Sequence, residues 1–93
     1  MKFEVYGKTD CAKCESTKAK VDLLVRKARC DGRVSVAFVD MDTIEGMAEG
    51  AFHDVLEIPT TILWSEGEQA LARWEGRIPP ATEIKAFLTG ARG

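Results

Sequence analysis

Two cysteines with two residues between them, Cys11 and Cys14, lie where a short apolar run changes into a helical pattern. Residues 2–6, KFEVY, are aromatic and β-branched, and Gly7 interrupts them, which predicts a strand. A cysteine pair at a strand-to-helix junction has its two sulfurs one helical turn apart. Such a pair can hold a metal, hold the fold or exchange electrons.

A helix is predicted from Cys11 to about Arg29, and Asp31-Gly32 is expected to end it. Residues 34–40, VSVAFVD, are nearly continuous in β-branched and aromatic residues, which predicts a strand covered on both faces. Strand, helix and strand together imply a parallel, right-handed crossover. The inward stripe of this helix is formed by Cys14, Thr17, Val21, Leu24, Val25 and Ala28.

The second half of the chain adds a helix, a hairpin and a final helix. Gly46 and Gly50 weaken the second helix, since each costs up to about 1 kcal/mol in a helix interior. Residues 60–64, TTILW, and 69–74, QALARW, predict an antiparallel hairpin. Pro79-Pro80 precedes a last helix with Ile84, Phe87 and Leu88. The apolar stripe of the second helix comprises Ile44, Met47, Ala48, Ala51, Phe52 and Val55.

The predicted fold class is therefore α/β, in the order β-α-β-α-β-β-α, with a mixed four-stranded sheet flanked by helices. The length of 93 residues fits one domain, residues 1–93. A net charge of −2 gives no electrostatic reason to expect nucleic acid or an anionic membrane as a partner. A monomer is expected.

Composition also bears on the compartment and on the use of the cysteines. No apolar run approaches the roughly 18 to 20 residues of a membrane span, and the N-terminus lacks the pattern of a secretion signal. We therefore expect a cytoplasmic protein, in a compartment where thiols stay mostly reduced. Three cysteines cannot all pair within one chain, so a framework of structural disulfides is the weakest of the three interpretations.

The position of the pair favours redox chemistry. A cysteine at a helix start faces free N–H groups and the positive end of the helix dipole, which favour the thiolate. Cys11 can then attack a partner's disulfide, and Cys14, more shielded, can close the Cys11–Cys14 bond and release reduced partner. Lys8 and Lys13 are candidate cations beside the thiolate, and Asp10 opposes them.

Three segments resemble known redox families. EIPTTILWSEGE, beginning at Glu57, resembles the thioredoxin segment in which Ile-Pro-Thr opens a strand. Gly76 and the closing TEIKAFL resemble the end of thioredoxin, so the likeness runs from about Asp40 to Leu88. Val5-Tyr6 followed by Lys8, three residues before Cys11, is similar to glutaredoxins. The chain thus looks like a small member of the thioredoxin superfamily, with a CAKC motif.

This resemblance implies a thioredoxin-like fold and a protein-disulfide reductase without a cofactor other than its own redox-active disulfide. It implies that Lys8 holds the Cys11 thiolate and that Pro59 is cis and lies beside Cys11, leaving the Ile58 backbone free to pair with substrate. The implied partners are protein disulfides and an upstream reductase. The residues expected to contact substrate are Tyr6, Ile58, Pro59 and Thr60.

The sequence departs from both families at specific positions. Asp10 replaces the thioredoxin tryptophan before the first cysteine, and Val5 occupies the place of a buried thioredoxin aspartate that helps to move a proton. Glutaredoxins that use glutathione carry a Gly-Gly pair and an aspartate after the last strand. Here the chain reads WEGRIPPATE from Trp74, so strong dependence on glutathione is not expected.

Two other classes of function remain open. Cys30 lies sixteen residues after Cys14, near the spacing of a zinc ribbon, but the fourth ligand would have to be His53, the one histidine. If the helix that begins at the cysteine pair ends near Cys30, Cys30 lies roughly 27 Å from the pair, which is too far for a shared metal ion. An iron–sulfur cluster held by Cys11 between two chains is a further metal alternative. The second class is a redox-inert docking module that keeps the same fold.

Overall fold

The computed structural model describes residues 1–91 and has strands and helices in the predicted order. No helix among these residues is both long enough and apolar enough to span a membrane. The elements are β1 (Lys2–Gly7), α1 (Ala12–Lys27), β2 (Ser35–Asp40), α2 (Ile44–Phe52), β3 (Thr60–Trp64), β4 (Ala70–Glu75) and α3 (Ala81–Ala91).

The strands form one four-stranded sheet in the order β2-β1-β3-β4. β1 and β2 are parallel, and β3 is antiparallel to both β1 and β4. This arrangement confirms the α/β fold class, the mixed sheet and the β3–β4 hairpin. It also places β1, whose last residues precede the cysteine pair, in the interior of the sheet.

Alternating side chains of β1 point to opposite faces of the sheet, so Phe3 and Tyr6 belong to different clusters. The larger cluster lies under α1 and α3, which contact each other. The predicted inward stripe of α1 is confirmed at its buried positions, Cys14, Thr17, Val21 and Val25. The larger cluster comprises Phe3, Val21, Val25, Cys30, Val34, Leu63, Trp74, Ile84 and Leu88. The smaller one comprises Tyr6, Val55 and Ile62.

The prediction that the second strand is covered on both faces is wrong. β2 lies at the edge of the sheet, and no residue from Ser35 to Asp40 is fully buried. Phe38 is half-buried, and the Lys18 ammonium lies 5.3 Å from the centre of its ring. An apolar, β-branched run indicates a strand but not its place in the sheet.

The predicted apolar stripe of the second helix faces the core at Val55, which follows α2 and belongs to the smaller cluster. Within α2 itself the stripe does not face the core. The buried positions of α2 are Gly46 and Gly50. A Cβ atom at Gly46 would overlap the carbonyl oxygen of Asp40, so the helix approaches β2 through its glycines. The apolar side chains consequently face outward, and Ile44 and Phe52 are 78% and 81% exposed.

The helix α1 ends earlier than predicted, before Asp31-Gly32. Arg29 adopts a left-handed conformation with φ of 57°. The N–H of Cys30 donates to Val25 O (3.0 Å), and the N–H of Arg29 donates to Arg26 O (3.0 Å). These two bonds form a Schellman motif, which usually contains glycine at the left-handed position. The sequence signal was missed because an arginine occupies that position here.

Candidate active site

Cys11 is the N-cap of α1, as its place before the helical pattern predicted. Its backbone is extended, with φ of −107° and ψ of 108°, and its Sγ accepts a hydrogen bond from the Cys14 N–H at 3.2 Å. The Cys11 carbonyl accepts the first helical bond, from the Glu15 N–H at 3.0 Å. Cys11 is partly exposed, and its sulfur lies at the positive end of the helix, where an anion is stabilised.

Cys14 forms a disulfide with Cys11, and the two Cα atoms are 5.2 Å apart. That separation is within the usual range for a disulfide. Cys14 is completely buried, whereas Cys11 is partly exposed. A partner can therefore approach the sulfur of Cys11 but not that of Cys14.

Gly7, the last residue of β1, makes room for Cys14. A Cβ atom at this position would lie 2.7 Å from both Cβ and Sγ of Cys14 and 3.3 Å from the Phe38 ring. These distances are shorter than ordinary van der Waals contacts, so any larger residue would displace the buried sulfur. The interruption that Gly7 makes in the apolar run is thus a packing requirement of the cysteine pair.

Two loops and the start of α1 are connected by hydrogen bonds. The Ile58–Pro59 peptide bond is cis, which confirms the prediction from the resemblance. The Pro59 carbonyl accepts from the Gly76 N–H at 2.8 Å, and the Gly76 carbonyl accepts from the Lys13 Nζ at 2.9 Å. Gly76 has φ of 67°, a conformation that favours glycine. Lys13, between the two cysteines, thereby links the helix start to the loop that holds Pro59.

Of the residues predicted to contact substrate, Ile58 is the one that remains partly exposed. Within residues 1–91, its N–H and C=O take part in none of the backbone hydrogen bonds of the loops and turns. Tyr6 and Thr60 are completely buried, and their hydroxyls donate to Glu4 Oε1 (2.9 Å) and Glu57 O (2.7 Å). These two side chains offer no exposed surface to a partner, and their contact with substrate stays a prediction. The Pro59 ring is also buried.

Lys8 is placed before the helix start and forms an ion pair with Asp42, with 3.7 Å between Nζ and Oδ1. Both side chains are about half exposed. The Lys8 carbonyl also accepts from the Cys11 N–H at 3.3 Å. That Lys8 stabilises the thiolate stays a prediction, and Asp42 is a neighbour that the sequence reasoning missed. The available signal was the parallel pairing of β1 and β2, whose carboxyl ends share one edge of the sheet.

The place of the thioredoxin aspartate is apolar in this chain. Val5 is completely buried and faces Thr61 on β3, and the Thr61 hydroxyl forms no hydrogen bond within the described residues. Val5 itself supplies no acid or base to Cys14.

Cys30 belongs to the larger core cluster and is completely buried. Its Sγ lies within 3.6 Å of the Leu88 carbonyl oxygen, at the opposite end of α1 from the pair. In the described part of the chain, no three His, Cys, Asp or Glu side chains are grouped so that they could hold one metal ion.

Comparison with known proteins gives structural matches. No family model matches the chain, and no curated protein matches it either. Thioredoxin 1 from Thermosipho africanus is 21% identical over 100% of both chains, with a TM-score of 0.74. A thioredoxin from Fasciola hepatica is 22% identical over 97% of this chain and 79% of its own, with a TM-score of 0.71. The chain has the thioredoxin fold.

A chloroplastic thioredoxin z has the same thioredoxin fold, with 24% identity over 97% of this chain and 76% of its own, and a TM-score of 0.72. These matches confirm the predicted fold over the whole length of the chain, including the first half, which resembles glutaredoxins in sequence. The thioredoxin fold places Cys11, Cys14 and the cis Pro59 at one end of the sheet.

Proposed function

We propose that this chain is a dithiol–disulfide oxidoreductase that reduces disulfides in partner proteins. The observation that carries the proposal is the asymmetry of the pair, in which Cys11 is a partly exposed N-cap and Cys14 is buried behind it. One sulfur is placed to meet a partner, and the other is placed to finish the exchange. Protein disulfides are the proposed substrates.

The exchange proceeds in two steps. The Cys11 thiolate attacks one sulfur of the partner's disulfide, so that a Cys11–partner bond forms, the partner's S–S bond breaks and the leaving thiolate takes up a proton. Cys14 then loses its proton and attacks Cys11 Sγ, which forms the Cys11–Cys14 bond and releases the partner's second thiolate. Two electrons and two protons have passed to the partner. A disulfide reductase must return them to the chain.

The substrate surface is proposed to be the partly exposed Ile58 with the Pro59 loop. The unpaired backbone groups of Ile58 suit an extended partner segment, which would add main-chain hydrogen bonds beside Cys11. The reductive direction rests on a cytoplasmic location, where thiols are mostly reduced. Lys8 is proposed to support the thiolate, and glutathione to be a poor reductant for this pair.

Trapping of the mixed disulfide tests the proposal. In Cys14→Ser the first step can occur and the second cannot, so a reduced, purified Cys14→Ser chain mixed with an oxidised protein such as insulin should form a covalent adduct through Cys11. Non-reducing electrophoresis and mass spectrometry would identify the linked cysteine. Cys11→Ser is the matched control and should form no adduct.

A second measurement separates the redox-inert docking alternative. Titration of the wild-type chain against a thiol–disulfide buffer should give one two-electron transition that Cys11→Ser lacks. If Cys14→Ser formed no adduct and the wild-type pair never joined under oxidant, the proposed reductase would be excluded and docking would be favoured. Metal analysis of the purified chain addresses the metal and cluster alternatives.

A further inference from the structure

A cavity of about 630 Å³ opens at the end of the sheet away from the cysteines. Strand β1 runs from Lys2, in the cavity wall, to Gly7, against Cys14. Five residue steps of a strand span roughly 17 Å. The cavity is therefore distinct from the dithiol site, and an occupant would leave Cys11 accessible.

Aromatic rings form one wall of the cavity. The rings of His53 and Trp64 have centroids 4.8 Å apart, and those of Phe52 and His53 are 4.9 Å apart in an edge-to-face arrangement. The Arg73 guanidinium donates to the carbonyl oxygens of His53 and Asp54, both at 2.6 Å, and so fixes the end of α2 against β4. The backbone that carries His53 is thus held in place by Arg73.

Carboxylates form the other part of the wall. Glu4 Oε1 accepts hydrogen bonds from Trp64 Nε1 at 2.6 Å and from the Tyr6 hydroxyl at 2.9 Å, and the Glu4 side chain is 14% exposed. Glu49 contributes from α2, and Glu66 and Glu68 contribute from the β3–β4 turn.

Positive charge is scarcer in this wall. The permanently cationic groups that line it are Lys2, whose Nζ lies 3.4 Å from Glu4 Oε2, and the amino group of Met1. His53 Nε2 also lies 3.5 Å from Glu49 Oε2, and the two form an ion pair when the imidazole is protonated. Four carboxylates therefore face two permanent cations and one histidine. The cavity combines an excess of negative charge with aromatic rings, of which Phe52 is exposed and His53 and Trp64 are partly buried. Carboxylates and aromatic rings together attract cations.

We propose that this cavity binds an arginine side chain presented by a partner protein. A guanidinium is planar and weakly hydrated, so it can stack on Trp64 while its N–H groups donate to Glu4 and Glu49. An ammonium is a compact, strongly hydrated charge and fits a flat aromatic wall less well. The volume lies within the roughly 300 to 1,000 Å³ of typical ligand sites, which leaves space for the peptide around the arginine. The exposed Phe52 ring offers an apolar contact to a neighbouring residue.

A peptide titration tests this proposal. The probe is acetyl-Leu-Arg-Leu-amide, and its controls are the lysine analogue and the neutral citrulline analogue, which keeps the shape of arginine. Titrated into the ¹⁵N-labelled full chain, the arginine peptide should give saturable shifts of the Trp64 indole N–H and leave that of Trp74 in place. The citrulline peptide should give no saturable shift.

Charge-neutral variants locate the binding. Glu4→Gln keeps an oxygen that can accept from Trp64 and Tyr6 but removes the charge, so we expect roughly tenfold weaker binding of the arginine peptide. Glu49→Gln should also weaken binding of the arginine peptide. It provides the same test of charge if Glu4→Gln does not fold. Glu45→Gln, an exposed carboxylate of α2 outside the cavity, is the matched control and should leave the affinity unchanged.

Three results would overturn the proposal. Equal binding of the arginine and citrulline peptides would show that charge is irrelevant, and equal binding of the lysine peptide would remove the preference for guanidinium. An equal loss in Glu45→Gln and Glu4→Gln would indicate a general effect of net charge. The adduct formed by Cys14→Ser is a separate readout, so failure here leaves the proposed reductase to be judged on its own test.

Discussion

Lys13 and Gly76 are 63 positions apart in sequence, and the Lys13 ammonium donates a hydrogen bond of 2.9 Å to the Gly76 carbonyl. Since the Gly76 N–H donates to the Pro59 carbonyl, this bond connects the start of α1 to the loop that holds the cis proline. The spacing between Cys11 and the proposed substrate surface therefore depends on one exposed lysine.

Removal of that bond should weaken partner binding more than it changes thiol chemistry. In Lys13→Met we expect KM for insulin reduction to rise about three- to tenfold, since a hydrogen bond to a charged group contributes roughly 1.5–3 kcal/mol when shielded and less at this exposed site. The alkylation rate of reduced Cys11 should change less. Lys13→Arg should restore part of the effect, and Lys20→Met, on the same helix, is the control. Equal KM values for Lys13→Met and Lys20→Met would contradict this role.

Gly7→Ala should destabilise the protein and disturb the disulfide together. The added Cβ would lie 2.7 Å from Cys14 Sγ, so the buried sulfur or β1 must shift, at a cost of about 1–3 kcal/mol. Urea unfolding of the oxidised and reduced forms measures the loss. Gly32→Ala is the control, because no atom lies within 4 Å of its Cβ position. If Gly7→Ala and Gly32→Ala were equally stable, the contact with Cys14 would not exclude a larger side chain at position 7.

Gly46→Ala should be more damaging, because the obstacle is backbone. Its Cβ would overlap the Asp40 carbonyl oxygen, and α2 would have to move away from β2. We expect a loss of about 3 kcal/mol or more in the free energy of unfolding. In α3, Gly90→Ala has open space and should be neutral or stabilising by up to about 1 kcal/mol. A small loss in Gly46→Ala would mean that α2 is not held against β2 as the structure has it.

Tyr6 should make stability fall with pH in the alkaline range. Burial, and then the hydrogen bond to the Glu4 carboxylate, raise the pKa of Tyr6 above its ordinary value of about 10. The folded state therefore keeps a proton that the unfolded state loses. The contribution of the Tyr6 proton to the free energy of unfolding is fully present below pH 10. It declines above that pH, by up to about 1.4 kcal/mol per pH unit.

Comparison with Tyr6→Phe isolates this effect. The difference in unfolding free energy between wild type and Tyr6→Phe should shrink as pH rises above about 10. Tyr6 is the one tyrosine, so its ultraviolet titration can be followed directly and should lag behind that of a free tyrosine. A Tyr6 titration with an ordinary midpoint in the folded protein would contradict the prediction.

The cysteine site was largely predictable because its determinants are local. A strand, a glycine, two cysteines and a helical stripe are contiguous in the sequence, so the N-cap position of Cys11 and the burial of Cys14 follow from helical periodicity. The cis Pro59 came from the resemblance of the Ile-Pro-Thr segment. Lys8 was chosen for its spacing, and spacing along the chain could not reveal that Asp42 lies beside it.

The errors in the fold share a cause. The stripe of α2 has helical periodicity, but Gly46 and Gly50 let backbone approach backbone, and that contact determined which face is buried. The apolar run of β2 was typical of an interior strand, yet strand order placed it at the edge. Tyr6 lies on the face of β1 opposite to Phe3, together with Glu4, and the burial of that face depends on the smaller cluster formed with Val55 and Ile62.

The order of elements, the helix start at Cys11 and the exposed-then-buried cysteine pair were determined by the sequence alone, because neighbours along the chain determine them. The tertiary structure decided which strand lies at the edge, which face of α2 is covered, and the meeting of Lys13 with Gly76 and of Glu4 with Trp64. These relationships join residues from distant parts of the chain, and periodicity within a single element contains no information about them.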